Sequence, residues 1–243
     1  MESIRGRVHS VETFGALDGP GIRYVVFLQG CPLNCLYCHN PDSWRMEQGR
    51  EATTDEIITE VLRYRSFLKG GGVTLSGGEP LLQPAFCEQL FRKCHAYGIH
   101  TALDTAGSVP LELCRGAVEQ ADLLLLDIKA INPDLCVRIT GQDNRNTLTL
   151  LDWCEQEKKP VWIRHVVVPE LTLDNVQLER LAAYLEPFSC VQRVELLPFH
   201  KMGEYKWEAL GRTYSLGQTQ PPTPEEMHAA RRIFRNHALP VVR

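Results

Sequence analysis

The sequence lacks the long apolar run that a membrane-spanning helix requires. Its most apolar stretch, Leu123–Leu126, is bounded by Asp122 and Asp127, whereas a span needs about 20 consecutive apolar residues. The first ten residues are polar and include Arg5 and Arg7, so no secretory signal peptide is expected. Both observations predict a cytoplasmic protein.

The chain also lacks an excess of positive charge. It carries 26 Lys and Arg residues against 30 Asp and Glu residues, for a net charge of −4 at pH 7. Nucleic-acid-binding domains usually have a basic surface, so we expect no nucleic-acid partner. The length of 243 residues predicts one domain over residues 1–243, and we expect a monomer.

The cysteines do not form a disulfide framework. There are nine of them, an odd number, and only three are clustered, which favours a reducing compartment. The other six lie mostly in helical patterns and are expected to be ordinary buried thiols: Cys87, Cys94, Cys114, Cys136, Cys154 and Cys190.

Apolar, strand-like segments alternate with helical patterns along most of the chain. The predicted strands are 24–28, 73–75, 99–103, 123–126, 161–168 and 191–197. The predicted helices are 53–68, 84–97, 110–120, 133–158, 173–186 and 224–238. This alternation predicts an α/β fold with parallel strands and right-handed crossovers, arranged as an open doubly wound sheet or as a barrel.

Polar or special residues follow nearly every predicted strand. They are Cys31, Ser76, Asp104, Asp127 and His200. In a barrel such strand ends converge on one mouth, whereas an open sheet spreads them along an edge. A single active site favours the barrel, although six units are too few to close a full eight-stranded one.

The most informative stretch is the loop that follows the first predicted strand. It runs from Gly30 to Asn40 and holds Cys31, Cys35 and Cys38 in a Cys-x₃-Cys-x₂-Cys spacing. Three thiols this close indicate a metal centre. Zinc normally takes four ligands, and no fourth Cys or His follows at zinc-finger spacing. An iron–sulfur cube tolerates the spacing and would leave one iron open; a structural zinc or a group of free thiols remains the alternative.

With an aromatic residue before the third cysteine, this loop resembles that of the radical S-adenosylmethionine (SAM) superfamily. The resemblance implies a partial (β/α)₆ TIM-type barrel and a 4Fe–4S cluster bound by Cys31, Cys35 and Cys38. It implies that SAM binds the fourth iron through its amino and carboxylate groups. It also implies that Tyr37, Cys38 and His39 contact SAM.

Segments after later strands extend the resemblance. Ser76-Gly77-Gly78-Glu79-Pro80 resembles the family's Gly-Gly-Glu motif, which implies that the Gly78 backbone hydrogen-bonds the SAM amino group with Glu79 in support. The implied remainder of the SAM pocket is Asp127, Ile128, Lys129 and His200, and the implied monovalent-cation ligands are Asp104, Thr105 and the carbonyl of Leu125. Ala106 departs from the family pattern, which would have Asn there. From the residues alone, a tight turn, helix caps and a surface histidine remain possible.

The segment from Asp18 to Arg23, Asp-Gly-Pro-Gly-Ile-Arg, resembles the signature of the glycyl-radical-enzyme activating enzymes. This implies that Asp18, Gly19 and Arg164 contact a peptide substrate. Arg164 lies within an apolar strand, where an unpaired charge is costly, so it must face a pocket or an acid. Related activators commonly carry further clusters after the first, but residues 41–54 contain no cysteine.

The resemblance implies one-electron chemistry. Reductive cleavage of SAM yields methionine and a 5′-deoxyadenosyl radical, which removes a hydrogen atom from a glycine of a glycyl radical enzyme. The match favours pyruvate formate-lyase (formate acetyltransferase) as the protein substrate and a flavodoxin- or ferredoxin-type electron donor. No acid–base catalytic residue is expected. The alternatives are an activator of a different glycyl radical enzyme and a non-enzymatic zinc-binding module.

Overall fold

The computed structural model describes residues 2–242, which fall into two compact units. The first unit contains the chain up to Pro32 together with Ser43–Leu125, and the second contains Leu33–Asp42 and the chain from Leu126 onwards. The single domain predicted over residues 1–243 stays a prediction. None of the helices described has the length and apolar composition needed to span a membrane.

Eight strands and eight α-helices are present within residues 2–242. The strands are β1 (Arg5–Gly15), β2 (Arg23–Leu28), β3 (Arg50–Thr53), β4 (Gly72–Gly77), β5 (His100–Thr105), β6 (Leu123–Asp127), β7 (Val161–Val167) and β8 (Val191–Pro198). The helices are α1 (Thr54–Arg63), α2 (Pro84–Ala96), α3 (Leu111–Gln120), α4 (Pro133–Thr140), α5 (Arg145–Gln156), α6 (Asn175–Leu185), α7 (Glu204–Ala209) and α8 (Pro224–Asn236).

In the first unit the strand order is β3-β1-β2-β4-β5-β6. β2 pairs in parallel with β4, and β4 pairs in parallel with β5. Val25, Val26 and Leu28 of β2 are fully buried, because a strand covered on both faces favours a continuous apolar run over strict alternation. The predicted parallel core is confirmed.

In the second unit β7 and β8 are parallel, with Arg164 opposite Glu195. Along β7, fully buried residues alternate with half-buried ones, as expected when one face packs in the core. Trp162, Arg164 and Val166 therefore share the less buried face of β7.

All six predicted strands are present, and the α/β class is confirmed. β3 and β8 each have one neighbouring strand within residues 2–242. β1 and β3 were not predicted. They pair antiparallel with each other, and β1 also pairs antiparallel with β2.

The predicted helix over residues 133–158 is wrong, because it is two helices. α4 ends at Thr140 and is followed by Gly141 in the left-handed region, at φ +84°, a conformation that stops a helix and favours glycine. The short helix α7 was not predicted.

The predicted end of the first helix is also wrong. α1 ends at Arg63 rather than at the triple glycine, and Gly72 instead begins β4. Phe67, placed in the helix by the sequence pattern, lies in the following turn with its ring against Phe14, at 5.4 Å between centroids. The predicted start is confirmed, because Thr53 and Glu56 form a capping box.

Candidate active site

The first part of the cysteine loop is fixed by backbone contacts within the first unit. Gly30 N donates to Ser43 O (2.7 Å), and Cys31 N donates to Trp44 O (3.1 Å). Gly78, after β4, lies directly against this segment: a Cβ at position 78 would be 2.2 Å from Gly30 O. The close approach of these two backbones requires a glycine at 78.

The second part of the loop is bound to the end of α4, within the second unit. Asn34 N donates to Thr140 O (2.8 Å), and Leu36 N donates to Ile139 O (3.0 Å). The last carbonyl groups of a helix have no partner inside it, so the loop amides satisfy them. This pairing fixes the chain on both sides of Cys35.

The helix α7 holds the same loop from another direction. Trp207 Nε1 donates to Cys38 O (2.9 Å), and Lys206 Nζ donates to Asn40 Oδ1 (2.8 Å) and forms an ion pair with Asp42 (3.0 Å). No role in the site was predicted for the side chains of Lys206 and Trp207. No local pattern marks such contacts, because the partners are more than 160 residues apart.

The three loop thiols fit an iron–sulfur cube. None of the nine cysteines is in a disulfide; Cys31 and Cys38 are half-buried, and Cys35 is buried. Burial raises the pKa of the Cys35 thiol to about 12, with the cationic Lys129 acting in the opposite direction. Within residues 2–242 no three His, Cys, Asp or Glu side chains are grouped to hold one metal ion, whereas a cube binds each thiolate to a different iron.

An orphaned polar atom next to the loop cysteines also fits a bound ligand. The hydroxyl of Tyr37 is buried and has no hydrogen-bond partner among residues 2–242, and a buried polar group of this kind is costly unless it is satisfied. Lys129 Nζ lies 5.9 Å from the centre of the Tyr37 ring. SAM bound beside Tyr37 would supply polar groups at this position.

Lys129 forms a close ion pair with Asp127, at 2.7 Å. Burial lowers the pKa of Lys129, but Asp127, Tyr37 and Cys35 together outweigh it, so the pKa is raised well above its ordinary value. Ile128, between them, is fixed through its backbone: its N donates to Arg164 O (3.0 Å), and its carbonyl accepts from His165 Nδ1 (2.7 Å). Lys129 is therefore a cation held in place near Tyr37.

His39 and His200 form a stacked pair. Their ring centroids are 4.1 Å apart with an interplanar angle of 21°, and His39 Nε2 donates to His200 O (3.0 Å). Burial, with a smaller contribution from His39, lowers the pKa of His200. In the part of the chain that the structure describes, His200 Nδ1 is buried without a hydrogen-bond partner, so a bound ligand could satisfy this nitrogen.

Glu79 is a buried brace between the loops that follow β4 and β5. Its carboxylate accepts from Thr105 Oγ1 (2.6 Å), Leu81 N (3.1 Å) and Ala106 N (3.1 Å). Burial raises its pKa, and these hydrogen bonds oppose the shift. Ala106 contributes only its backbone N–H to this network. The departure from Asn at this position therefore leaves the hydrogen bonds of Glu79 in place.

The predicted cation ligands lie at the ends of β5 and β6, in the first unit. Asp104 Oδ2 accepts from Ser76 Oγ (2.7 Å). The Thr105 hydroxyl already donates to Glu79 and accepts from Gly107 N (2.9 Å). Leu125 is fully buried. The cation site stays a prediction, and the Thr105 hydroxyl would have to serve it in addition to two existing hydrogen bonds.

Arg23 organises the segment that contains Asp18 and Gly19. It is fully buried, and its guanidinium donates to Val73 O (2.6 Å) and Thr74 Oγ1 (2.9 Å). The Thr74 hydroxyl in turn donates to Asp18 O (2.6 Å). Burial lowers the pKa of Arg23 to about 10. No role was predicted for Arg23, although its charge at the start of a buried strand could have indicated a structural role.

Arg164 faces an acid, one of the two options left open by the sequence. Its Nε donates to Glu195 Oε2 (3.2 Å), and the two side chains are 11% and 12% exposed. Glu195 also pairs with Arg193 (2.9 Å), whose guanidinium lies 4.4 Å from the centre of the Trp162 ring. The predicted contact of Arg164 with a peptide stays a prediction.

Comparison with known proteins places this site in a family. Residues 25–182 match the Radical SAM superfamily. The pyruvate formate-lyase-activating enzyme of Staphylococcus epidermidis is 42% identical, with 98% of this chain and 99% of the relative covered. The enzyme of that name from Listeria monocytogenes is 41% identical, with 96% and 98% covered.

Two solved structures share the fold. A domain of the pyruvate formate-lyase-activating enzyme from Bacteroides vulgatus has a TM-score of 0.60 and 25% identity, over 71% of this chain and 98% of that one. Streptococcus suis SuiB bound to its precursor peptide SuiA has a TM-score of 0.70 and 14% identity, over 95% and 49% of the two chains; this likeness concerns the fold alone.

The chain therefore belongs to the radical SAM superfamily, in the family of the pyruvate formate-lyase-activating enzymes. The resemblance stated from the sequence and its fold class are confirmed. The cofactors of this family are a 4Fe–4S cluster and SAM, which excludes the zinc-binding module.

Proposed function

We propose that this protein is a radical SAM activase that generates the glycyl radical of pyruvate formate-lyase. The observation that carries the proposal is its 42% identity, over 98% of the chain, to an activating enzyme of that name. The presence of Cys31, Cys35 and Cys38 in one loop, none of them in a disulfide, supports it, because three protein ligands would leave one iron of a cube open to SAM.

When bound, the cluster and SAM together supply a reductive cleavage whose radical product removes a hydrogen atom from a glycine. The chain's own residues bind and orient these groups. Gly78 N donates to Leu28 O (2.9 Å), so the Gly78 carbonyl is the group that would accept from the SAM ammonium. Lys129 is a fixed cation suited to the SAM carboxylate. The Nδ1 of His200, which has no hydrogen-bond partner within residues 2–242, would contact SAM.

The protein substrate must present its glycine as an extended loop, because hydrogen transfer requires the two atoms to be in contact. The segment at Asp18 and Gly19, held by Arg23 through Thr74, would accept that peptide, and Arg164 would contact it. We further propose that the protein acts as a cytoplasmic monomer and receives electrons from a flavodoxin- or ferredoxin-type donor.

The test is anaerobic incubation of the reconstituted protein with a chemical reductant, SAM and pyruvate formate-lyase. We expect a glycyl radical in the electron paramagnetic resonance spectrum, and deuterium placed on the target glycine should appear in 5′-deoxyadenosine. Cys35→Ala should abolish both signals, whereas Cys154→Ala, outside the loop, should retain them. A radical formed only on another glycyl radical enzyme would reassign the substrate.

A further inference from the structure

The buried guanidinium of Arg23 directs one of its hydrogen bonds at a histidine. Arg23 Nη1 donates to His100 Nδ1 (3.2 Å), while its other two nitrogens donate to Thr74 Oγ1 and Val73 O. A guanidinium has no acceptor atom, so His100 Nδ1 must be the acceptor. This contact therefore requires the neutral imidazole of His100, with its proton on Nε2.

The same guanidinium lies against the segment that is predicted to contact the peptide substrate. Arg23 Nη1 also donates to Pro20 O (3.5 Å). Thr74, which accepts from Arg23, donates to Asp18 O (2.6 Å). Gly19 is close enough that a Cβ there would lie 3.4 Å from Arg23 Nε. Three successive residues of the segment therefore depend on where this guanidinium is held.

The other end of the segment is fixed by backbone packing. A Cβ at Gly21 would lie 2.1 Å from Gly70 O, and a Cβ at Gly71 would lie 1.8 Å from Ile22 O. These backbones are already in the closest contact that glycine allows. A change in the hydrogen bonds of the guanidinium would therefore act on residues 18–20 and leave this end in place.

We propose that His100 is a positioning residue for the protein substrate, which keeps residues 18–20 in their binding conformation by accepting a hydrogen bond from Arg23. The inference rests on the proposed function, because residues 18–20 matter to the reaction only if a glycine loop binds there. Protonation of His100 Nδ1 replaces the acceptor by a donor and places a second positive charge beside the guanidinium. Acidification should therefore weaken binding of the glycine loop.

The surroundings of His100 favour the neutral imidazole. Burial and then Arg23 lower its pKa, with opposition from Asp122. The folded protein therefore keeps His100 neutral until the pH falls through a value below 6.5. The charged and titratable groups around it are Arg23 on β2, His95 on α2, Asp122 before β6, and Arg65 and Lys69, which line the same surface cleft as His100.

The test compares two replacements of His100 in the reconstituted holoprotein. His100→Leu removes the acceptor, whereas His100→Asn can place an amide oxygen near the position of Nδ1 and does not titrate. The matched control is His95→Gln, which changes a neighbouring histidine whose Nε2 lies 3.1 Å from Asp122.

The probe is a synthetic peptide that copies the glycine loop of pyruvate formate-lyase, with deuterium on the glycine. Its dissociation constant is measured by anaerobic calorimetry at pH 8 and pH 5.5, with SAM present and the cluster oxidised. After reduction at pH 8, deuterium transfer to 5′-deoxyadenosine is measured alongside SAM cleavage without peptide.

At pH 8 we expect His100→Leu to bind the peptide about tenfold more weakly, the scale of one hydrogen bond to a charged group. His100→Asn should bind it normally. Deuterium transfer by His100→Leu should need correspondingly more peptide to reach the same maximal rate. At pH 5.5 the unmodified protein and His95→Gln should bind severalfold more weakly than at pH 8, whereas His100→Asn should keep its affinity. SAM cleavage without peptide should be the same in every variant.

Equal affinities of His100→Leu and the unmodified protein at pH 8 would overturn the proposal. So would a loss on acidification that His100→Asn shares in full, and this comparison decides alone if His100→Leu does not fold. Slower SAM cleavage without peptide in His100→Leu would assign the residue to the SAM site and also overturn the proposal. If the unmodified protein cleaves SAM but takes no deuterium from the peptide, the proposed function fails, and this inference fails with it.

Discussion

Gly78 lies so close to the cysteine loop that a side chain there would collide with it. Besides the contact with Gly30 O, a Cβ would be 3.3 Å from the Cβ of Cys31. The sequence alone suggests that Gly78→Val would weaken SAM binding while iron content holds. The structure gives a different expectation: the substitution displaces a cluster ligand, so bound iron per chain should fall together with SAM binding.

Iron and sulfide analysis after anaerobic reconstitution tests this expectation for Gly78→Val. The matched control is Gly98→Asn, because Gly98 has a φ of +66° and nothing within 4 Å of a Cβ, and Asn tolerates that conformation. The control should keep its full iron content. If Gly78→Val also kept its full iron content, neighbouring residues would have moved to relieve the collision. Only the predicted contact of the Gly78 backbone with SAM would then remain.

Arg164 can be tested for both of its assigned roles. Arg164→Ala removes a hydrogen-bonded ion pair with Glu195 that is little exposed, and we expect a loss of about 2 kcal/mol in the free energy of unfolding. Arg164→Ala combined with Glu195→Ala should cost less than the sum of the single variants, since the pair is already broken. Urea unfolding measures these values.

The peptide role of Arg164 has a separate readout. If Arg164 contacts the substrate, Arg164→Ala should reduce deuterium transfer from the target glycine more than it reduces SAM cleavage without substrate, and the double variant should show the same deficit. Recovery of transfer in the double variant would assign Arg164 a structural role only.

At the scale of elements, α7 is hydrogen-bonded to the cysteine loop through Trp207. Trp207→Phe keeps the ring but removes the hydrogen bond to Cys38 O, a loss of about 1 kcal/mol. We expect iron to be released to a chelator about fivefold faster, the factor that this free energy represents. Tyr205→Phe, on the exposed side of α7, is the control. Equal rates of iron release from both variants would show that the hydrogen bond of Trp207 does not help to retain the cluster.

The end of α8 is joined to α6 by a histidine that responds to pH. His237 Nε2 lies 2.9 Å from Glu179, and Nδ1 lies 2.9 Å from Glu186. Hydrogen bonds to Glu186 and then Glu179 raise the pKa of His237 above 6.5. The folded state therefore binds this proton more tightly than the unfolded state, so the stabilisation is complete below pH 6.5 and disappears as the pH rises through the folded-state pKa.

We accordingly expect His237→Gln to lower the urea midpoint at pH 6 and to have a smaller effect at pH 9. His228→Gln, at an exposed position of the same helix, is the control and should not show this dependence. A larger deficit at pH 9 than at pH 6 would contradict the assignment of the ion pairs.

At the scale of the whole molecule, burial divides the nine thiols into two groups: Cys31 and Cys38 are half-buried, and the other seven, Cys35 included, are buried. The six outside the loop are buried, and burial raises the pKa of Cys94, Cys154 and Cys190 to about 12. We expect native holoprotein to resist alkylation. After cluster removal by a chelator, Cys31 and Cys38 should react first and Cys35 later, as mass spectrometry of the labelled peptides would show. Early labelling of Cys94 or Cys154 would contradict this order.

The parallel core could be predicted from the sequence because its strands are apolar runs bounded by helical patterns. β1 and β3 could not, since they are partly exposed and lack such runs: β1 contains His9, Ser10 and Glu12, and β3 has four residues. The break after α4 depended on the backbone angle of Gly141, which a helical apolar pattern does not reveal.

The site was predictable where its residues lie next to each other in the chain. The cysteine spacing and the Gly78–Glu79 turn are local patterns, whereas the stack of His39 on His200 and the contact of Trp207 with Cys38 join residues more than 160 positions apart. The sequence identified His200 as a polar residue after a strand, but its contact with SAM was implied only by the family resemblance. Contacts of this kind depend on tertiary packing, which single-sequence patterns do not encode.

The hydrogen bonds donated by the backbone amides of the cysteine loop bear on the redox potential of a cluster bound there. The amides of Cys31, Asn34, Leu36 and Cys38 all donate to protein carbonyl groups. Amide donors to sulfur stabilise the more negative, reduced cluster and thereby raise its potential. If these four amides keep their carbonyl partners when a cluster is bound, they would not raise its potential, which would suit the one-electron cleavage of a sulfonium ion.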